Sequence, residues 1–195
     1  MSVYLIWVIV SLYCLNRIIG WWIVVVSRNW QWYGTIVVIV TTATLIGLPM
    51  LPQTRLSGLW RILGIPVGIV VFGVGMVIGI RAGNEFDKVG TREDRLPTRL
   101  VTTGMYNVMR HPQYVALDVC FVGWSLVWGA VVCLYLAPLI IFLNWLQAFL
   151  EEKYILEKLF GDEFRAYKKR VGMFLPRNPK ENEEQIGDTT PVVGI

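Results

Sequence analysis

The only histidine of the chain, His111, sits in Arg110-His111-Pro112-Gln113-Tyr114, where a charged stretch runs into a long apolar one. Proline suits the first turn of a helix, since its missing N–H is not needed there and its φ is already helical. The segment therefore presents the N–H groups of Gln113 and Tyr114 as an anion-binding end. A second chemical pair, Glu151-Glu152, stands where the following apolar stretch ends. Adjacent carboxylates at a membrane surface are ordinarily a solvated helix face. Here the 36 apolar residues 115–150 are too many for one bilayer crossing and few for two full ones, so they read as a tight helical hairpin turning near Gly129. Such a hairpin returns Tyr114 and Leu150 to one surface and sets the glutamates beside the histidine. A helix N-terminus facing a carboxylate fits a zwitterionic amino acid moiety. Its carboxylate would lie on Pro112-Gln113-Tyr114 and its ammonium near Glu152, with Arg110 or Arg99 assisting the anion. One histidine and no inward cysteine cluster argue against a transition-metal site, and no serine or cysteine is placed as a nucleophile beside His111.

The elements that must hold these groups are set by composition. Hydrophobic residues are 55% of the chain, charged residues 16%, and mean hydropathy is +0.53. Apolar stretches approach the ~20 residues that cross a bilayer, so the chain reads as an integral membrane protein. Spans are expected at residues 3–26, 34–51 and 59–80, followed by the two arms of 115–150, with Pro138 a kink in the second arm. This gives an all-α polytopic fold of about five transmembrane helices in one domain, residues 1–180, with a flexible tail at 181–195. The first apolar stretch lacks a basic n-region and is longer than a signal h-region, so it reads as a helix rather than a leader. Cys14, Cys120 and Cys133 all fall inside apolar segments and indicate no disulfide framework.

Lysines and arginines orient the spans. Loop 81–110 carries six and segment 151–180 carries eight, whereas the turn between the second and third spans has only Arg55 and Arg61. The loop, the histidine motif and the C-terminal segment are therefore expected on the cytoplasmic side, with the N-terminus outside. Asn16-Arg17 interrupts the first span; a buried ionisable group in lipid is a functional candidate, though an arginine that snorkels or faces another helix or subunit is the favoured reading. Gly64, Gly68, Gly73, Gly75 and Gly79 fit close helix packing, within one subunit or between two, better than a dinucleotide loop, which would need a strand and an acidic partner. Trp21, Trp22, Trp30 and Trp32 straddle a span boundary as an interfacial belt. Topology and anionic membrane lipid account for the net charge of +4 without a nucleic acid partner.

Taken together, Leu100-Val101-Thr102-Thr103-Gly104-Met105-Tyr106, the histidine motif, Glu151-Glu152, Phe160-Gly161 and Tyr167-Lys168-Lys169-Arg170-Val171 resemble the isoprenylcysteine carboxyl methyltransferase family, with its relatives that methylate phospholipid amines. The resemblance covers residues 98–176. It implies a membrane methyltransferase that binds S-adenosylmethionine in a pocket enclosed by the cytoplasmic loop and tail, without a soluble Rossmann domain. The matching cofactor contacts are Leu100, Val101, Tyr106, His111, Pro112, Tyr114 and Glu152, while Thr98, Arg99 and Gln113 stand at neighbouring contact positions without matching in type. Where the prenylcysteine enzymes carry an arginine three residues before the glutamate pair, this chain has Ala148.

The reaction that the resemblance implies is an in-line displacement from a sulfonium, favoured by alignment and exclusion of water. A carboxylate acceptor is already ionised at neutral pH and needs no base. An amine acceptor needs one, for which His111 or Glu151 would serve. His111 reads as a cofactor-positioning partner rather than a base. The acceptor is expected to be lipophilic and to enter from the bilayer, with Asn144 and Gln147 placed by depth to contact it. A carboxylate acceptor, a phospholipid amine, and a non-enzymatic membrane scaffold whose motif only caps a helix are the three readings.

Overall fold

Glycine decides how two of the helices meet. A Cβ on Gly68 would stand 2.7 Å from the Gly123 carbonyl oxygen, and one on Gly123 would stand 2.4 Å from the Phe72 nitrogen. One on Gly75 would stand 2.6 Å from Cys120 Sγ. The helices that carry these residues therefore touch backbone to backbone, a contact only small residues permit. Gly73 has nothing within 4 Å of such a Cβ and takes no part.

In the computed structural model, described over residues 2–22, 38–90 and 98–177, the chain is helical throughout. The elements are α1 (Ser2–Trp22), α2 (Val38–Met50), α3 (Gly58–Val89), a 3-10 turn (Gly104–Asn107), α4 (Pro112–Trp128), α5 (Val131–Glu151), a π-helical turn (Glu152–Leu156) and α6 (Glu157–Arg170). Among the described residues there is no strand, only two isolated bridges, Arg55 with Ala130 and Met109 with Gly172. The tryptophans expected at an interface in 27–33 and the tail 181–195 lie outside the described residues.

Among the described residues two helical runs are long and apolar enough to cross a membrane, α3 and Val131–Arg170, the latter kinked at Gly161 (φ +50). The apolar part of α2 is shorter. Only the apolar part of the second run, 131–150, has the composition of a span, since charged residues follow from Glu151 on. Pro138 lies inside α5 without ending it. The outer faces of α3 and α5 are apolar, with Trp60, Ile62 and Val70 on one and the stacked Phe142, Trp145 and Phe149 on the other. The inner faces form a core in which Tyr13 of α1 and Leu45 and Leu48 of α2 meet Phe121 of α4 and Cys133, Ala137 and Ile140 of α5.

Two boundaries differ from expectation. Helix α3 runs on past residue 80 to Val89, because Ala82 is buried and the Lys88–Glu85 pair, 2.7 Å apart at i,i+3, supports the extra turns. Nor does the helix break after residue 150. No proline or glycine interrupts it there, and it passes through the π-helical turn into α6.

The turn between α4 and α5 is Gly129-Ala130, with Gly129 left-handed at φ +61 as helix C-terminal glycines commonly are. Around it two arginines close the helix ends. Arg55 Nη1 donates to the carbonyls of Pro49 (2.7 Å) and Trp128 (3.0 Å), and its Nη2 donates to that of Leu51 (2.8 Å). Arg61 Nη1 donates to the Val127 carbonyl at 2.5 Å.

Candidate functional site

Pro112 is the first residue of α4 and His111 its N-cap, so the histidine stands at the helix mouth with its side chain free for other partners. That partner is Glu152, whose Oε1 lies 3.0 Å from His111 Nε2. The π-helical turn starts at Glu152, and the side chain is 2% exposed. Arg110 grips the same carboxylate with both prongs of its fork, Nε to Oε1 at 2.7 Å and Nη2 to Oε2 at 3.2 Å. Lys168 Nζ lies 3.2 Å from Oε2. Burial alone would push the Glu152 carboxyl up, but the hydrogen bonds and charges of His111 and Arg110 outweigh it and hold the group at about 2. An ionised carboxylate only accepts, so Nε2 of His111 carries the proton between them.

The same cage ties three segments into one. Arg110 also donates to the Val171 carbonyl. Backbone N–H groups of Arg110 and His111 donate to Gly172 (2.9 Å) and Met173 (3.1 Å). The Tyr167 hydroxyl donates to the Tyr106 carbonyl at 2.5 Å, and both tyrosine hydroxyls are pushed up by burial. Gly104, at φ +57, turns the chain into this segment, and its bare Cα fits against the Glu85 side chain, 2.6 Å from where a Cβ would stand. The Tyr114 hydroxyl donates to Glu151 Oε2 at 3.1 Å, joining the mouth of α4 to the end of α5.

Inside lies a cavity of about 580 Å³, within the range typical of small-molecule sites. Of the residues anticipated from sequence, Leu100, Val101, Tyr106, His111, Pro112, Gln113 and Tyr114 line it. Thr98 and Arg99 are exposed and do not line it. Glu152 sits behind His111, one shell from the wall, whereas Glu151 reaches the wall itself. Asn144 and Gln147 are buried in α5 off the wall, and Asn144 bonds to Tyr13 and Asp118. Sequence reasoning missed the aromatic side of the cavity, which is Phe86 of α3 with Phe160, Phe164 and Tyr167 of α6. The spacing of the last three, at i, i+4 and i+7, is the signal of an amphipathic helix that could have found them. Arg17, a functional candidate from its place inside an apolar span, and Thr41, which the sequence did not single out, also line the cavity.

The donor set suits a cofactor that joins an aromatic base to an amino acid. Aromatic and aliphatic side chains form one wall, while Arg110, Gln113, Tyr114 and Glu151 gather at the mouth of α4. The profile of the phospholipid methyltransferase family matches residues 63–163, more than half of the chain and most of this cavity's wall. The chain belongs to the phospholipid methyltransferase family. Its resemblance to the isoprenylcysteine carboxyl methyltransferases is borne out by curated relatives. A protein-S-isoprenylcysteine O-methyltransferase of Schizosaccharomyces pombe is 29% identical over 100 residues, 51% of this chain and 42% of the relative. One of Rattus norvegicus is 32% identical over 110 residues, 55% of this chain and 39% of the relative. A methanethiol S-methyltransferase 1 of Bradyrhizobium diazoefficiens is 36% identical over 92 residues, 43% of this chain and 28% of the relative. The matched part thus spans 42% or less of each of these relatives. No solved structure gives a significant match.

Proposed function

We propose that this family member transfers a methyl group from S-adenosylmethionine to a lipophilic acceptor held in the bilayer, and that the acceptor group is a carboxylate. The observation that carries the reading is one cavity with an aromatic wall from α6 and the polar mouth of α4, which continues among the membrane-crossing helices to Arg17 and Thr41. In this reading about five helices span the membrane, α4 and α5 as a hairpin, with the site and C-terminus cytoplasmic and the N-terminus outside. Leu100, Val101, Tyr106, Phe160 and Phe164 would cover the adenosine. The N–H groups at the start of α4 would take the amino acid carboxylate, and Glu151 its ammonium.

S-adenosylmethionine supplies an electrophilic methyl on a sulfonium. The residues align and dry the site. Arg110, Glu152 and Lys168 clamp the C-terminal segment over the cavity, and Tyr167 pins that segment to Tyr106. His111 is oriented by the bond from its Nε2 to Glu152. A carboxylate acceptor loses no proton, so no base is required of these groups. The family's description favours a second reading, a phospholipid amine, in which His111 or Glu151 would remove the proton.

Calorimetry with S-adenosylhomocysteine on the detergent-purified protein tests the reading. Saturable binding, weakened about tenfold or more by His111→Ala through loss of a buried polar contact, is expected. A folded protein that binds neither this compound nor S-adenosylmethionine refutes it. A methylated product that survives mild base excludes the ester and moves the assignment to the amine.

A further inference from the structure

Arg17 lies on α1, far in sequence from the histidine motif, yet it lines the same cavity. It is 7% exposed, a cation placed deep among helices. Its Nη2 donates to Asn144 Oδ1 on α5, and its guanidinium lies 5.3 Å from the centre of the Tyr13 ring. The Tyr13 hydroxyl donates to the same oxygen at 3.1 Å, and Asn144 Nδ2 donates to Asp118 Oδ1 of α4 at 2.6 Å. Three helices thus hold one arginine in a fixed place. Asn144 is the joint between the cation and the carboxylate, and Asp118 does not line the cavity. Of the two charges, the guanidinium is the one on the cavity wall.

The depth can be read along two helices. Asp118 is four residues beyond Tyr114 on α4, about 6 Å, and Asn144 is seven before Glu151 on α5, about 10 Å. Arg17 therefore stands roughly one to two helical turns below the Tyr114–Glu151 bond that marks the mouth. The same cavity is also lined by uncharged residues, Thr41 and Thr42 of α2, Gly75, Met76 and Gly79 of α3 and Cys120 of α4. A buried ionisable residue facing a cavity between apolar helices marks a substrate path. A planar guanidinium there selects an oxyanion.

We propose that Arg17 binds the carboxylate of the methyl acceptor, making α1, outside the family-matched residues 63–163, the element that selects an anionic acceptor. This rests on the methyltransferase reading above. In the step, the carboxylate oxygen forms the new C–O bond as the S–CH3 bond breaks. Sulfur keeps the bonding pair and becomes a neutral thioether, and no proton moves. Arg17 holds the carboxylate in line, while the neutral ester that results loses its ion pair and leaves toward the lipid.

The test compares an S-farnesyl cysteine derivative bearing a free carboxylate with its uncharged carboxamide, each titrated into the detergent-purified protein saturated with S-adenosylhomocysteine. Wild type should bind the carboxylate about tenfold or more tightly than the carboxamide, the range of a charge-assisted pair. Arg17→Met should bring that ratio near one and Arg17→Lys should leave it in between, with S-adenosylhomocysteine affinity kept within about twofold. Equal binding of the two compounds by wild type overturns the proposal, as does a preference that survives in Arg17→Met. If Arg17→Met does not fold, the wild-type ratio and Arg17→Lys still decide. Should wild type bind no S-adenosylhomocysteine, the methyltransferase reading fails, and the same titration without it still judges the carboxylate site.

Discussion

Replacing Glu152 with glutamine keeps the shape of the side chain and removes the charge that Arg110, His111 and Lys168 share. The carboxyl is held at about 2 against an ordinary 4.5, and the group is 2% exposed, so little solvent screening applies. That difference corresponds to about 3 kcal/mol in favour of the folded state. Because the folded value is depressed, this stability is fully present above about pH 5.5, falls to about half near pH 3, and is gone once pH drops below 2. The variant lacks the term at every pH. Thermal unfolding in detergent at pH 7 should therefore place Glu152→Gln about 6–12 °C below wild type, from about 2–4 °C per kcal/mol for a chain of this size. The gap should narrow by about half at pH 3, whatever other carboxylates do, since they are common to both proteins. Equal melting at pH 7, or a gap that does not shrink in acid, would refute the idea that an ionised Glu152 holds the cage together.

Two further outcomes follow from the packing. Tyr167→Phe removes the bond to the Tyr106 carbonyl, so it should lower stability by about 1 kcal/mol and weaken S-adenosylhomocysteine binding, which calorimetry beside a melt would measure. Gly123→Ala should destabilise by about 1–3 kcal/mol, because its Cβ meets the Phe72 backbone, whereas Gly73→Ala, with open space, should be neutral or gain up to about 1 kcal/mol. Paired melts that show no difference between these two glycines would sink the close α3–α4 contact.

The candidate site was legible where a residue carried its own geometric rule. Pro112 fixed the start of α4, and the length of the apolar stretch implied that Tyr114 and Glu151 end near each other, as their 3.1 Å bond shows. Gly104 and Gly129 both take the positive φ that turn and helix-end glycines favour. What stayed hidden depended on long-range partners. The charges after residue 150 read as the end of a helix, but the chain stays helical and the π-helical turn faces Glu152 inward. Asn144 looked like a side chain offered to a ligand, and nothing local in the sequence pairs it with Tyr13, Arg17 and Asp118 across three helices. Nor could the sequence show that Arg110, five residues before the apolar run 115–150, bends toward the tail rather than toward an incoming anion.

The two arginines at the Gly129 end bear on how anything enters. Arg55 joins the last carbonyls of α2 to that of α4, and Arg61 joins α3 to α4, so three helices share one rivet at a single end. The His111 end of α4 is about 25 Å away along a 17-residue helix, and there the closure is made by side chains and a short paired segment. A bundle fastened this way opens like a clothes peg. The riveted end is the spring, and the jaws are held by the ion cage at Glu152. The two arginines keep their charge, but carbonyls already take hydrogen bonds from both, which holds each at this end of the bundle.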